Sequence, residues 1–459
     1  MAVKHAKNKH NNYEEILIMD KCVDLNIGFE SRFLLKKNGS PFFWLADTAW
    51  ELFHRLNREE ALEYLSTRAS QQFTVIQAVA LAEFSGLTVP NAYGRTPLLK
   101  NKNGDFTPEL PDLDTANNKY TYWSHVDFII DAADSLGLYI GLLPTWGDKY
   151  NKKWGEGPEI FTPGNAYTYG KWIGERYKNR NNIIWIMGGD RPLENDTHKS
   201  IVGNMAKGIK ESTENKRLMT FHPMGGYSSS EFVHGETWLD FNMVQSSHGG
   251  VNIKNYEFIQ KDYSLTPVKP TLDGEPRYED HPIGANPENG YFDDYNVRVA
   301  AYWSMLSGSF GHTYGHHSIW SFNTEKQAYF PLLWREALHR PGAEQMKYVK
   351  ELFMSKALLE LTPCQKLLHE NYAGANYMPA AKGQKYAFIY TPNGLDIKIN
   401  TEILTGSGVM ASWFDPRKGG YIFDSVKKKE GVIVYTPPSR GRNNDWVLAL
   451  DTVEYDNIY

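Results

Sequence analysis

Two stretches of this 459-residue chain close an apolar run on a carboxylate. One is Asn182-Ile183-Ile184-Trp185-Ile186-Met187-Gly188-Gly189-Asp190-Arg191-Pro192, the other Lys269-Pro270-Thr271-Leu272-Asp273-Gly274-Glu275-Pro276. A short apolar run ended by Gly, an acid and Pro reads as a buried strand that hands its acid to a loop. Two acids facing one cleft are the minimum equipment for hydrolysing a glycosidic bond, and this makes Asp190 and Glu275 the candidate catalytic pair. Taken singly, Asp190 has a plainer reading, as an ion pair with Arg191 or a cap for the helix after Asp196. Glu275 has Asp273 and Arg277 two residues to either side, candidate charge partners that would tune its ionisation.

Acids far apart in sequence meet when parallel strands deliver them to the same end of a barrel. Strand and helix signals alternate from residue 41 to about 340, as a (β/α)8 TIM barrel requires. Strands are predicted at Pro41–Leu45, Phe73–Leu81, Leu138–Leu143, Ile183–Met187, Leu218–His222, Phe241–Gln245, Lys269–Asp273 and Phe310–Tyr314. Helices are predicted from Asn57, with Glu60 completing a capping box, and over Tyr122–Leu136 before Gly137. Others follow at Ala166–Tyr177, Asp196–Glu214, Asn255–Asp262, Asp294–Leu306 and Gly342–Ser355. Beyond about residue 358, helical spacing gives way to short alternating stretches at Tyr386–Tyr390, Gly408–Phe414, Gly431–Tyr435 and Trp446–Leu450. These predict a small C-terminal antiparallel β-sandwich. The expected division is an N-terminal extension over 1–40 with a hairpin turning at Asn38-Gly39, a barrel over 41–357 and the sandwich over 358–459.

The strand ends are rich in polar and aromatic groups, as a sugar site needs. Candidate substrate-binding residues there are Asp47, Trp50, Gln77, Trp146, Asp148, Lys149, His222, Gln245, His248, Arg277, Tyr278, His312, His316 and Trp320. Tryptophans would form stacking walls, Asp47, Gln77, His222, His248 and Tyr278 would orient hydroxyls, and Lys149 and Arg277 are cations for an acidic glycan. Aromatics make up 14% of the chain, and core packing competes with sugar stacking as their explanation.

The net charge of −5 gives no electrostatic case for nucleic acid or an anionic membrane as partner. No apolar run is long enough to span a bilayer. His312, His316 and His317 cluster, but without metal-binding spacing, so neither a metal nor any other cofactor is expected. Phosphate-loop, dinucleotide and Gly-x-Ser-x-Gly signatures are absent. Cys22 and Cys364 are read as free thiols. The polar start Met1 to Asn12 lacks the apolar stretch of a secretion signal, which leaves the compartment open. A monomer acting on an oligosaccharide or polysaccharide is expected.

Five segments together carry a family resemblance: Ala46-Asp47-Thr48-Ala49-Trp50, Gly188-Gly189-Asp190-Arg191-Pro192, Gln245-Ser246-Ser247-His248-Gly249, Asp273-Gly274-Glu275-Pro276-Arg277-Tyr278-Glu279 and Gly311-His312-Thr313-Tyr314-Gly315. Across nearly its whole length the chain resembles glycoside hydrolase family 140, apiosidases of gut Bacteroides that dismantle side chains of the pectin rhamnogalacturonan II. The resemblance implies a barrel joined to a collagen-binding-type β domain, with Asp190 as acid/base and Glu275 as nucleophile of a retaining reaction at an apiose linkage. It also implies a periplasmic or extracellular setting. Three rivals stand beside this reading: a glycosidase of the same design on another sugar, a non-catalytic glycan-binding protein, and a metal-dependent hydrolase.

Overall fold

The computed structural model describes residues 21–28, 32–114 and 120–455. All eight barrel strands form: β1 (Trp44–Thr48), β2 (Val75–Val79), β3 (Tyr139–Leu143), β4 (Ile183–Gly188), β5 (Met219–His222), β6 (Asn242–Gln245), β7 (Thr271–Asp273) and β8 (Gly311–Tyr314). They pair in parallel in the order β5-β4-β3-β2-β1-β8-β7-β6. Contacts between β5 and β6 close the ring. There the Asp240 amide donates to the Met219 carbonyl at 2.8 Å, and the Thr220 hydroxyl to the Phe241 carbonyl at 2.6 Å. Every residue of these strands is buried, because helices cover the outside and side chains fill the inside. A two-residue strand, Tyr227–Ser228, runs antiparallel to β6.

The surrounding helices are α1 (Arg58–Ser70), α2 (Tyr122–Ser135), α3 (Pro163–Tyr177), α4 (Asp196–Ser212), the single turn α5 (Ser230–Val233), α6 (Asn255–Tyr263), α7 (Asp294–Met305) and α8 (Pro341–Met354). The capping box of α1 is present: Asn57 accepts from the Glu60 amide at 2.9 Å, and the Glu60 carboxylate accepts from the Asn57 amide at 3.1 Å. Apolar spacing placed the start of α3 three residues late. Thr162 caps the helix and Pro163 opens it, a start set by cap chemistry rather than by periodicity.

The first strand also sits later than its apolar run predicted. Pro41–Phe42 leaves the barrel to pair with Leu34–Lys36, which pairs in turn with Leu25–Ile27 in a three-stranded antiparallel sheet. Gly39, at φ +81°, makes the expected turn. Residues 1–20 of the predicted extension lie outside the described residues.

In the C-terminal region β9 (Thr362–Pro363), β10 (Ala380–Lys382), β11 (Tyr386–Thr391), β12 (Ile397–Asn400), β13 (Gly408–Phe414), β14 (Tyr421–Lys428), β15 (Val432–Tyr435) and β16 (Trp446–Val453) are antiparallel. Six form one sheet in the order β9-β10-β11-β16-β13-β14, and β12 pairs with β15 to cover one of its faces. The other face packs on the barrel through Tyr390 stacked on Tyr302 at 4.8 Å and Phe388 against Phe353 at 5.9 Å. A fully buried ion pair, Arg298 with Asp445 at 2.9 Å, crosses that seam. Cys22 and Cys364 are unpaired, and no helix is long and apolar enough to cross a membrane among the described residues.

Candidate active site

The carboxyl ends of the strands open into a cavity of about 380 Å³ that Asp190 and Glu275 both line. Each acid lies two residues past its strand, Asp190 after β4 and Glu275 after β7. Gly188 and Gly189 make the first turn, with φ of +91° and +118°. A Cβ on Gly188 would stand 2.4 Å from the His222 carbonyl, and one on Gly189 2.9 Å from the Trp146 ring, so neither position admits a side chain. Asp190 itself sits at φ +51°, a left-handed conformation that costs a non-glycine residue energy and here aims its carboxyl into the cavity. The β7 loop is pinned to the β6 loop by the Ser247 amide, which donates to the Glu275 carbonyl at 3.0 Å.

Two histidines grip Glu275. His222, the last residue of β5, brings Nε2 to 2.8 Å from Oε2, and His248 brings Nε2 to 3.1 Å from Oε1. The His248 contact has hydrogen-bond geometry, whereas the His222 contact is a close approach outside that geometry, and neither of its two atoms has a directional hydrogen bond among the described residues. Burial opposes ionisation of this nearly enclosed carboxyl, but the two imidazoles outweigh it and hold Glu275 at about 2.

Asp190 is shifted the other way. Burial raises it first and the charge of Glu275 second, against the smaller lowering effects of Arg191, His222 and Trp154. Arg191 Nη1 donates to Asp190 Oδ2 at 2.9 Å and to its backbone carbonyl at 2.8 Å, and Trp154 Nε1 lies 3.3 Å from the same Oδ2. The other arm of the guanidinium, Nη2, donates to Glu83, a third carboxylate in the cavity. Burial, together with Asp148 and Asp190, pushes Glu83 up to about 7 despite Arg191. One cleft thus holds a carboxylate kept ionised and an acid pushed toward its protonated form, the division of labour that acid-assisted cleavage of a glycosidic bond requires.

Trp50, Trp146, Trp154 and Trp320 wall the cavity. The Trp146 indole N–H and the Gln245 amide oxygen are buried polar atoms of this lining without a hydrogen-bond partner among the described residues, and the Tyr278 hydroxyl lies beside Glu275. Such groups are satisfied by the hydroxyls of a sugar or by water.

Of the predicted site residues, Asp190, Glu275, Trp50, Trp146, His222, Gln245, His248, Tyr278 and Trp320 converge at or beside this cavity. Seven do not. Asp47 faces outward from β1 and accepts from Tyr64 at 2.6 Å and Arg68 at 2.5 Å in the core. Gln77 lies beneath the cleft, donating at 3.0 Å to the carbonyl of Gly274 and so bracing the loop of Glu275. Asp148 and Lys149 neutralise each other at 2.7 Å with both side chains enclosed, which removes Lys149 as a cation for substrate. His316 is held by Asp280 at 2.9 Å and by the Ser318 amide, and caps a helical turn. His312 is fully buried on the helix-facing side of β8, in register with Asp273 of β7, where burial first and Arg277 second push it down to about 3. Arg277 opens onto a different cavity. Asp273 is likewise no partner of Glu275: it accepts from the Ser246 hydroxyl at 2.7 Å and Asn255 at 3.1 Å, tying β7 to its neighbours.

Sequence reasoning missed Glu83, Trp154, Met224, Gly225, Ser247 and His281 in the cavity lining. Glu83 carried a signal, since the apolar run Ala78-Val79-Ala80-Leu81-Ala82 ends on it as the other two runs end on their acids. Trp154 carried none, standing in an irregular Lys- and Gly-rich loop.

Comparison with known proteins agrees with this geometry. Residues 29–360 match the family model described as "Apiosidase-like, catalytic domain", and residues 362–451 match "Putative collagen-binding domain of a collagenase". No curated protein matches the chain. A solved structure titled "Glycoside hydrolase" is 31% identical, spans 94% of this chain and 98% of its own, and superposes with a TM-score of 0.83. A glycoside hydrolase family 5 protein from Bacteroides vulgatus ATCC 8482 is 30% identical over 95% of this chain and 97% of its own, with a TM-score of 0.84. With a catalytic-domain model matched over most of its length and two full-length glycoside hydrolase neighbours, the chain belongs to the apiosidase-like family and is a glycosidase.

Proposed function

We propose that this glycosidase cleaves an apiose linkage in the side chains of pectin rhamnogalacturonan II, and that it does so with retention of configuration. Glu275 is the nucleophile and attacks the anomeric carbon while Asp190, protonated, donates to the leaving oxygen. Asp190 then takes a proton from the water that frees the sugar from Glu275. The observation that carries this reading is the double histidine contact on Glu275. A carboxylate held at about 2 is a poor base for activating water, as inversion would demand, yet it remains ionised and able to form the glycosyl–enzyme bond. The opposite shift of Asp190 suits an acid that must give up and recover a proton in alternate steps. Trp50, Trp146, Trp154 and Trp320 would stack on sugar faces, while Gln245, His248 and Tyr278 would receive hydroxyls. In this reading residues 41–357 are the catalytic module and residues 358–459 an accessory β domain.

The test is incubation of the protein with rhamnogalacturonan II fragments, alongside Asp190→Asn and Glu275→Gln controls. Release of apiose-terminated oligosaccharides by the unmodified chain alone supports the assignment. Absence of any product would move the activity to another sugar. Proton NMR of the first-formed anomer reads the stereochemistry, and an inverted product would reject Glu275 as nucleophile.

A further inference from the structure

A second cavity, of about 240 Å³, opens where the barrel meets the β domain. Asn252 of the β6–α6 loop, Tyr295 and Trp303 of α7, Arg277 of the β7 loop, and Asn393 and Arg442 of the β domain contribute to its walls. The lining carries two guanidinium groups and no carboxylate. Arg277 is only 2% exposed and makes no ion pair among the described residues. Its Nη1 donates to the Val251 carbonyl at 2.6 Å and its charge rests 5.6 Å from the Trp303 ring centre, but its buried Nη2 has no hydrogen-bond partner among the described residues. A buried guanidinium left with a bare donor is a costly arrangement that an anion relieves. Arg442 stands at the rim, 4.6 Å from the Tyr295 ring centre and paired with Asp293 at 2.8 Å, with more than half its side chain open to solvent.

We propose that this cavity is a second glycan site that takes a hexuronate residue, its carboxylate held by the charges of Arg277 and Arg442. The planar guanidinium fork suits a carboxylate, Asn252 supplies an amide for a ring hydroxyl, and Tyr295 and Trp303 border the space as sugar C–H faces favour. The cation expected of a protein that handles an acidic glycan is thus present, in a pocket apart from the one that holds Asp190 and Glu275. The choice of a hexuronate rests on the pectin reading proposed above, whereas anion binding at this cavity does not depend on cleavage at apiose.

The probe is D-galacturonate, titrated calorimetrically into the full chain carrying Glu275→Gln to silence turnover. Saturable one-site binding is expected, with galactose and inorganic phosphate each binding at least tenfold more weakly. Arg277→Met and Arg442→Gln, each added to that chain, are expected to weaken galacturonate binding at least tenfold, whereas Trp50→Ala in the catalytic cavity leaves it unchanged. Arg442, exposed at the rim, provides the informative variant even where loss of buried Arg277 prevents folding. Undiminished binding to the Arg442→Gln chain, loss of binding in Trp50→Ala, or phosphate binding as tight as galacturonate would overturn the proposal. The rhamnogalacturonan II assay reads the active-site assignment separately.

Discussion

Replacing His248 with alanine removes one of the two imidazoles that hold Glu275 at about 2 instead of its ordinary 4.5. That net fall corresponds to about 3 kcal/mol in favour of the ionised form. Burial works against it, so the two histidines together contribute more than the net figure. His248 makes the longer approach, 3.1 Å against 2.8 Å for His222, and its removal should raise the Glu275 carboxyl by about one pH unit, or about 1 kcal/mol. A depressed carboxylate is ionised, and stabilises the fold, at every pH above its unfolded value, and loses both as pH falls toward 2. The acid limb of kcat/KM should therefore move to higher pH by about one unit in His248→Ala and further in His222→Ala. The assay is kcat/KM from pH 2.5 to 7, with circular dichroism at each pH to confirm that the protein is folded. His248 also packs against Tyr278 at 4.3 Å and His281 at 4.4 Å, so KM is expected to change as well, but lost packing alone does not relocate a titration limb. Acid limbs unmoved in both variants would refute the electrostatic account of Glu275.

Asp47→Ala should lower unfolding stability by about 3–5 kcal/mol in denaturant melts, because it leaves Arg68 buried without its partner; a change in KM with stability intact would return Asp47 to the substrate site. Glu83→Gln removes one of the acids that compete with Asp190 for the Arg191 guanidinium, which favours the ionised form of Asp190, so the alkaline limb of the pH–rate profile should move to lower pH. Gly315→Ala places a Cβ 2.1 Å from Cδ1 of Tyr278, and activity should fall sharply as that ring is driven toward the cavity, with a smaller loss of thermal stability. Asp190→Asn should raise Tm while abolishing turnover on unactivated substrates, since the fold disfavours the charge that it removes and Asn tolerates the left-handed backbone; a lower Tm would count against strain and charge being stored at this residue.

The fold was legible because the barrel strands are buried on both faces and so appear in the sequence as continuous apolar runs, eight of them, closed by turn residues. The same logic located the catalytic pair, since an acid that ends such a run has few places to go except the barrel mouth. Direction was harder to read. Asp47 and His312 lie on strands whose side chains alternate between the barrel interior and the helix layer, and type alone does not say which way each points. Asp148 and Lys149 are adjacent in sequence and cancel each other, a pairing that only the fold of their loop enforces. In the β domain Ala380–Lys382 and Ile397–Asn400 are too short to stand out. Tyr421–Lys428 is an edge strand, exposed along most of its length, without the apolar alternation of a half-buried one.

The charges around the cavity explain why a third carboxylate belongs there. Arg191 is fully enclosed, and without Glu83 more of its charge would act on Asp190, lowering it as Arg–carboxylate pairs normally do. Sharing the guanidinium between two acids weakens its hold on each, and the ionised Glu275 across the cavity then has the larger effect on Asp190. Glu275 in turn stays ionised because its own compensation comes chiefly from His222 at the end of β5 and His248 in the loop after β6. Two separate sets of partners serving two carboxylates separate their ionisation in a way that a single shared partner cannot. An acid and a nucleophile that must differ in protonation while facing the same bond need that separation, and here the barrel supplies it by drawing the partners of each from different strands.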